Sequence, residues 1–121
     1  MALCFDSNIV IDALNGRPEA AAEISGATVR VISIVTWIEV VAGAPTAQAE
    51  QLARELLTRF RVVNVTPAIA EVAVAIRRRT RLKLPDSLIL ATAQVSGCQL
   101  STRNTKDFLE SDPTIRVPYR L

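Results

Sequence analysis

Four short stretches far apart in the chain each carry a carboxylate or another polar oxygen to the edge of an apolar run. They are Phe5-Asp6-Ser7-Asn8, Thr36-Trp37-Ile38-Glu39, Leu84-Pro85-Asp86-Ser87 and Ser101-Thr102-Arg103-Asn104, the last followed by Asp107-Phe108. The neighbouring runs, Ile9 to Ile11, Val31 to Val35 and Leu88 to Ala91, have the character of core. Carboxylates set among such runs are costly to bury unless their charge is compensated, and a divalent cation is the simplest compensation. Hard oxygen donors select Mg²⁺ or Mn²⁺ over softer metals. Such ions lower the pKa of a bound water, steady charge on a pentacovalent phosphorus and, in pairs, clamp the attacking and leaving oxygens of a displacement. The chain contains no histidine, which excludes a Ser-His-Asp triad, a Cys-His pair, a histidine base and a histidine metal site. If the chain catalyses a reaction, carboxylates and a metal are the leading means.

Arg77, Arg78, Arg79, Arg81, Lys83, Arg103 and Lys106 are seven of the fourteen basic residues, and all lie close in sequence to Asp86 or Asn104. Cations at a helix end suit the macrodipole and need no further role. A whole basic cluster beside a carboxylate site points instead to a polyanionic ligand. Acids to hold metal and arginines to hold a phosphate backbone together suggest cleavage of a phosphodiester.

Each acid also has an ordinary reading. Asp6 opens a helix; Glu39, one turn after Thr36, completes a capping box. Asp86 suits the dipole of a helix begun by Pro85. Asn104 shapes a turn and Asp107 is a surface acid. The joint order and placement of the set carry more weight than any member.

The elements that must position these residues follow from the pattern. Ala2 to Phe5 is a strand; Asn8 is placed as the N-cap of a helix from Ile9 to Leu14, stopped by Asn15-Gly16. Pro18 starts a helix to about Ser25, and Thr28 to Ser33 is a β-branched strand. Ile34 to Ala42 is helical. Thr46 to Phe60 is an amphipathic helix with Ala49, Leu52, Ala53, Leu56 and Leu57 on its inward face. Val62 to Val65 is a strand, and Pro67 to Arg79 a helix with Ile69, Val72, Ala73 and Ile76 inward. Pro85 opens a helix to Ser96, closed by Gly97. Cys98 to Thr102 is a strand, Thr105 to Leu109 a helical turn, and Ile115 to Val117 a fifth strand. Strands alternating with helices, without hairpin signals, predict an α/β sandwich around a mostly parallel sheet. Ligands of such sheets bind beyond the carboxyl ends of the strands, where Asp6, Glu39, Asp86 and Asn104 would gather.

Length and composition fit one domain over residues 1–121: half the residues are apolar, aromatics are few, and the core is aliphatic. No stretch reads as a membrane span or signal peptide. Cys4 and Cys98, without CxxC spacing, are expected as buried free thiols, and a cytoplasmic location follows. The net charge of +2 says little about partners.

The four stretches resemble the motifs of the PIN-domain ribonucleases, in particular the VapC-type toxins of toxin–antitoxin pairs. Phe5-Asp6-Ser7-Asn8-Ile9-Val10-Ile11-Asp12 resembles that family's opening motif, with Ser7 in place of threonine. The segments Ser33 to Gly43, Leu84 to Ala93 and Leu100 to Phe108 resemble its second, third and fourth motifs, so the likeness covers nearly the whole chain. The resemblance implies a PIN-like three-layer α/β sandwich with strand order 3-2-1-4-5, which makes the strands of Cys4 and Cys98 neighbours. It implies Mg²⁺ or Mn²⁺ held by Asp6, Glu39 and Asp86, with Asn104 at a fourth position many relatives fill with aspartate and Asp107 as a possible fourth acid. Ser7 and Thr102 would orient the carboxylates. The implied activity is endoribonuclease, with Arg77, Arg78, Arg79, Arg81, Lys83 and Arg103 on the RNA. The implied partners are a second copy and a VapB-like antitoxin that covers the site and alone contacts operator DNA.

Rival chemistries fit less well. A haloacid-dehalogenase-type phosphatase needs an aspartate where Asn8 stands, and a receiver domain needs a phosphoacceptor aspartate where the third strand ends in Thr66-Pro67. The rival from another class is an inactive PIN-fold module that binds a partner protein or RNA.

Overall fold

A computed structural model describes residues 1–121. Its five strands are β1 (Ala2–Phe5), β2 (Val29–Ser33), β3 (Arg61–Val63), β4 (Gln99–Ser101) and β5 (Ile115–Arg116). The six helices are α1 (Ser7–Leu14), α2 (Pro18–Gly26), α3 (Ile34–Ala42), α4 (Ala47–Leu57), α5 (Pro67–Arg79) and α6 (Leu84–Val95). The sheet order is β3-β2-β1-β4-β5, the expected order, and every pairing is parallel.

A central parallel strand is buried on both faces, which is why β1 is an unbroken apolar run. Successive side chains point to opposite faces. Leu3 and Phe5 enter a core with Ile9, Ile24, Ile32 and Phe60 under α1 to α4. Cys4 and Val31 enter a second core with Ile69, Ile76, Ile89 and Leu100 under α5 and α6. These are the three layers. Cys4 and Cys98 are buried and unbonded on neighbouring strands, and burial raises both thiol pKa values.

Helix starts follow capping chemistry. Thr66 accepts from the Ile69 amide and Thr46 from the Ala49 amide, at 3.2 and 3.0 Å. Two expectations are corrected. The cap of α1 is Asp6, not Asn8: the Asp6 carboxylate accepts from the Ser7 amide at 2.7 Å, so the helix begins as soon as β1 ends. The cap of α3 is Ser33, which accepts from Val35, so Thr36 and Glu39 form no capping box.

A third correction concerns α4. Ala53 and Leu57 are buried, but Leu52, placed inward by periodicity, is 54% exposed. It borders an apolar trough of about 200 Å³ with Ile11, Leu14 and Val40. The apolar stripe of α4 is wider than the surface that α1 and α3 offer it.

Candidate active site

Asp6 stands where β1 gives way to α1 and is 4% exposed. Its Oδ1 accepts from the Ser7 amide; its Oδ2 accepts from Thr102 Oγ1 at 2.7 Å and Asn8 Nδ2 at 3.2 Å. Thr102 follows β4, so the register of β4 against β1 sets this contact; the Asp6 amide donates to Ser101 O at 3.0 Å. Glu39 reaches in from α3, and Ser7 Oγ donates to its Oε1 at 2.6 Å. Ser7 and Thr102 therefore do hold carboxylates, one each.

Asp86 lies half-buried in the first turn of α6. Burial, then the charges of Asp107 and Glu39, hold its carboxyl above the usual value, while Lys83 pulls the other way. Burial pushes the Asp6 carboxyl up to about 6, against the hydrogen bonds from Thr102 and Ser7 and with the help of the Asp86 and Glu39 charges. Asp6 thus feels the charges of Asp86 and Glu39, and Asp86 those of Asp107 and Glu39, beyond the carboxyl ends of β1 and β4. None of the four has a cationic partner; the ion pairs of the molecule are made by Asp12, Glu23, Glu50 and Glu110.

Asn104 and Asp107 are joined. Asn104 Nδ2 donates to Asp107 Oδ2 at 3.0 Å, and the Asp107 amide donates to Asn104 Oδ1 at 3.2 Å. The Asn104 amide shapes the turn after β4, and Asp107 is the acid whose charge reaches Asp86.

The arginines divide. Arg77, Arg78, Arg79, Arg81 and Lys83 are exposed at the end of α5 and the link to α6, and make no ion pair. Arg103 does not join them. Its Nε and Nη2 donate to the Asp12 carboxylate at 2.5 and 2.9 Å, and Tyr119 Oη donates to the same group at 2.7 Å. A guanidinium committed to a bidentate pair is not free for phosphate, so Arg103 is removed from the RNA-contacting set.

This network was not foreseen. Asn8 links Asp6 and Thr102 through Nδ2 and accepts from the Arg103 amide through Oδ1. Asn8 and Asp12 lie four apart on one helix face, a spacing that would have disclosed the pairing. The Arg103 bonds hold the Asp12 carboxyl below its usual range, against burial and with Tyr119. Asp12→Asn is expected to cost about 2 kcal/mol at neutral pH, less than for a fully enclosed pair because Arg103 is one-third exposed. The stabilisation is complete above the unfolded-state pKa of about 3.9 and disappears as pH falls through the lower folded value. Urea denaturation should therefore separate wild type and variant at pH 7 and bring them together near pH 2 to 3; a gap unchanged by pH would contradict the ion pair.

The donors suit a hard divalent cation: all are oxygens, and the innermost carboxylate is buried without a counter-charge. No three acidic or thiol side chains stand close enough to hold an ion as they are placed. Glu39 is held by Ser7 Oγ, so joint ligation with Asp6 and Asp86 would require these side chains to draw together.

Comparison with known proteins agrees with this geometry. Residues 3–111 match the PIN domain family model. The ribonuclease VapC10 of Mycobacterium tuberculosis is 40% identical over 82 residues, 64% of this chain and 61% of the relative. The chain thus spans about three-fifths of that relative's length. A toxin–antitoxin complex from Klebsiella pneumoniae contains a chain 44% identical, covering 100% of both chains at a TM-score of 0.91. FitAcB from Neisseria gonorrhoeae, 20% identical over 96% of this chain and 97% of that one, shares the fold at a TM-score of 0.79.

Proposed function

The chain belongs to the PIN domain family, and on that premise we propose that it is the toxin of a toxin–antitoxin pair, a Mg²⁺- or Mn²⁺-dependent endoribonuclease. The observation that carries this reading is Asp6: a buried carboxylate, oriented by three hydrogen bonds and within reach of the Asp86 and Glu39 charges, with no cation to neutralise it. Burying such a group is unfavourable for a protein that does not use it.

Asp6, Asp86 and Glu39 would hold the ion, with Asp107 as the fourth acid and Asn104 positioning it. A bound ion would supply an activated water at neutral pH and neutralise charge developing on phosphorus. The chain's own residues do the rest. Thr102 and Asn8 fix Asp6, and Ser7 fixes Glu39. Asp12 and Arg103 clamp α1 to the turn after β4, keeping Thr102 over Asp6. Arg77, Arg78, Arg79, Arg81 and Lys83 offer unpaired cations to the RNA backbone.

The relatives support the partners. The chain is read as a homodimer, neutralised by an antitoxin whose segment covers the acid cleft and which alone contacts operator DNA. The exposed Leu52 and Ile11 beside the apolar trough provide a surface for a partner chain. No helix is long and apolar enough to cross a membrane, and the reading places the pair in the cytoplasm.

A PIN fold kept only for binding is favoured by one observation, the open spacing of the acids. The uncompensated burial of Asp6 weighs against it. Metal-dependent cleavage of RNA by wild type, and its loss in Asp6→Asn, separates the two.

A further inference from the structure

A cleft of about 450 Å³ opens beside the acids, between the end of α5, the first turns of α6 and the turn after β4. Its walls include Arg79, Arg81, Leu90, Phe108, Leu109 and two acids, Asp107, which accepts from Asn104, and Asp112, which accepts from Thr114. We propose that this cleft is a subsite for the nucleotide next to the scissile phosphate, with Arg79 and Arg81 on a phosphate and the base lying against Leu109 over the apolar floor. The proposal rests on the RNA-cleaving reading of the acids and assigns the cleft beside them.

Three independent features support it. The first is position. Leu90 follows Asp86 by four residues on the same face of α6, about 6 Å along the axis, which is the scale of one step along a nucleic-acid strand. Asp107 belongs to both places, since it lines the cleft and its charge is felt at Asp86.

The second is charge. Arg79 and Arg81 are exposed and without a carboxylate partner, whereas Arg54, Arg103, Arg116 and Arg120 are each paired. Arg77 and Arg78 are equally exposed, but they do not line the cleft. The third is shape and polarity. Leu90 and Phe108 are buried in the floor, and Leu109 is 70% exposed at the rim. Two unpaired arginines beside an apolar floor match a ligand that is anionic at one end and a flat apolar ring at the other, while the two acids of the rim already accept hydrogen bonds from Asn104 and Thr114.

The test uses the full chain in EDTA, so that no cleavage occurs. The probes are nucleoside 5′-monophosphates, inorganic phosphate and a short single-stranded RNA. Amide NMR shifts should locate the monophosphates at Leu90, Asp107 and Leu109. Arg79→Gln with Arg81→Gln should weaken RNA binding by about tenfold or more and lower the salt slope by about 1.4, the value for two single-strand phosphate contacts. Leu109→Ala should weaken the monophosphates and leave inorganic phosphate unchanged. Arg77→Gln with Arg78→Gln should have much the smaller effect.

Shifts located elsewhere would overturn the subsite, as would equal losses for the two arginine pairs, which indicate a diffuse basic field. Monophosphate and RNA binding unchanged in the Arg79→Gln, Arg81→Gln protein would also overturn it. Because binding is read without turnover, failure here leaves the cleavage reading standing, and failure to cleave leaves this result standing.

Discussion

Asp86→Asn is expected to lower RNA cleavage by at least roughly 10²- to 10³-fold while the protein stays folded. Asparagine keeps the shape of the side chain and removes the charge a hard cation needs. The fold has little at stake, because Asp86 is half-buried and makes no hydrogen bond or ion pair through its carboxylate. Its favourable place in the first turn of α6 contributes about 0.3–1 kcal/mol. Relief of repulsion from Asp107 and Glu39 offsets that loss in the metal-free state. Cleavage assays and thermal melts on the same preparation check both halves, and wild-type turnover by the variant would remove Asp86 from the site.

The second large effect is on stability, and it is set by Asp6. The folded carboxyl is raised to about 6 from an ordinary 3.8. A raised acid binds its proton more tightly in the folded state, so the fold loses stability as pH climbs from about 4 to 6 and keeps the penalty above that. The shift corresponds to about 3 kcal/mol at neutral pH. Asp12 and Glu23, held below their usual values, act in the opposite sense and at lower pH, so the window belongs to the raised acids. Metal-free Asp6→Asn should therefore show a flatter stability profile between pH 4 and 6. Mn²⁺ should reverse the penalty in wild type, adding about 2.7 kcal/mol at one hundred times its dissociation constant, and should do little for Asp6→Asn. Calorimetric titration without RNA should show one readily bound ion, a second needing oxygens from an RNA phosphate. Parallel pH profiles with equal Mn²⁺ responses in the two proteins would contradict the assignment.

How far these residues were legible from sequence depends on the range of the interaction that places them. Asp6, Glu39 and Asp86 were legible because Asp6 follows β1, Asp86 opens α6 and Glu39 sits within the helix after β2, elements whose apolar patterns fix their positions at one end of a parallel sheet. The bounds of α3 and α5 were legible for the same reason, with Gly43 and Pro67 marking them. Contacts across the sheet were legible only through the family resemblance, if at all: it implied that Thr102 orients a carboxylate, but nothing local to Asp6 announces that this residue, ninety-six positions on, donates to it. Arg103 reads as one more cation beside a basic cluster until α1 brings Asp12 against it. Leu52 obeys the helical period, yet a period reports which face is apolar and not whether the chain covers it. Asn104 and Asp107 were both candidates to complete the fourth position, and only the folded turn shows the amide of one holding the carboxylate of the other.

The central claim is that these acids form a metal-dependent nuclease site. The direct measurement incubates purified wild type and Asp6→Asn with a mixed-sequence RNA in Mg²⁺, in Mn²⁺ and in EDTA, and follows internal cleavage. The account predicts internal cuts by wild type with either metal, none in EDTA, and none by Asp6→Asn under any condition. Cleavage that persists in EDTA, or equal cleavage by the two proteins, would contradict it.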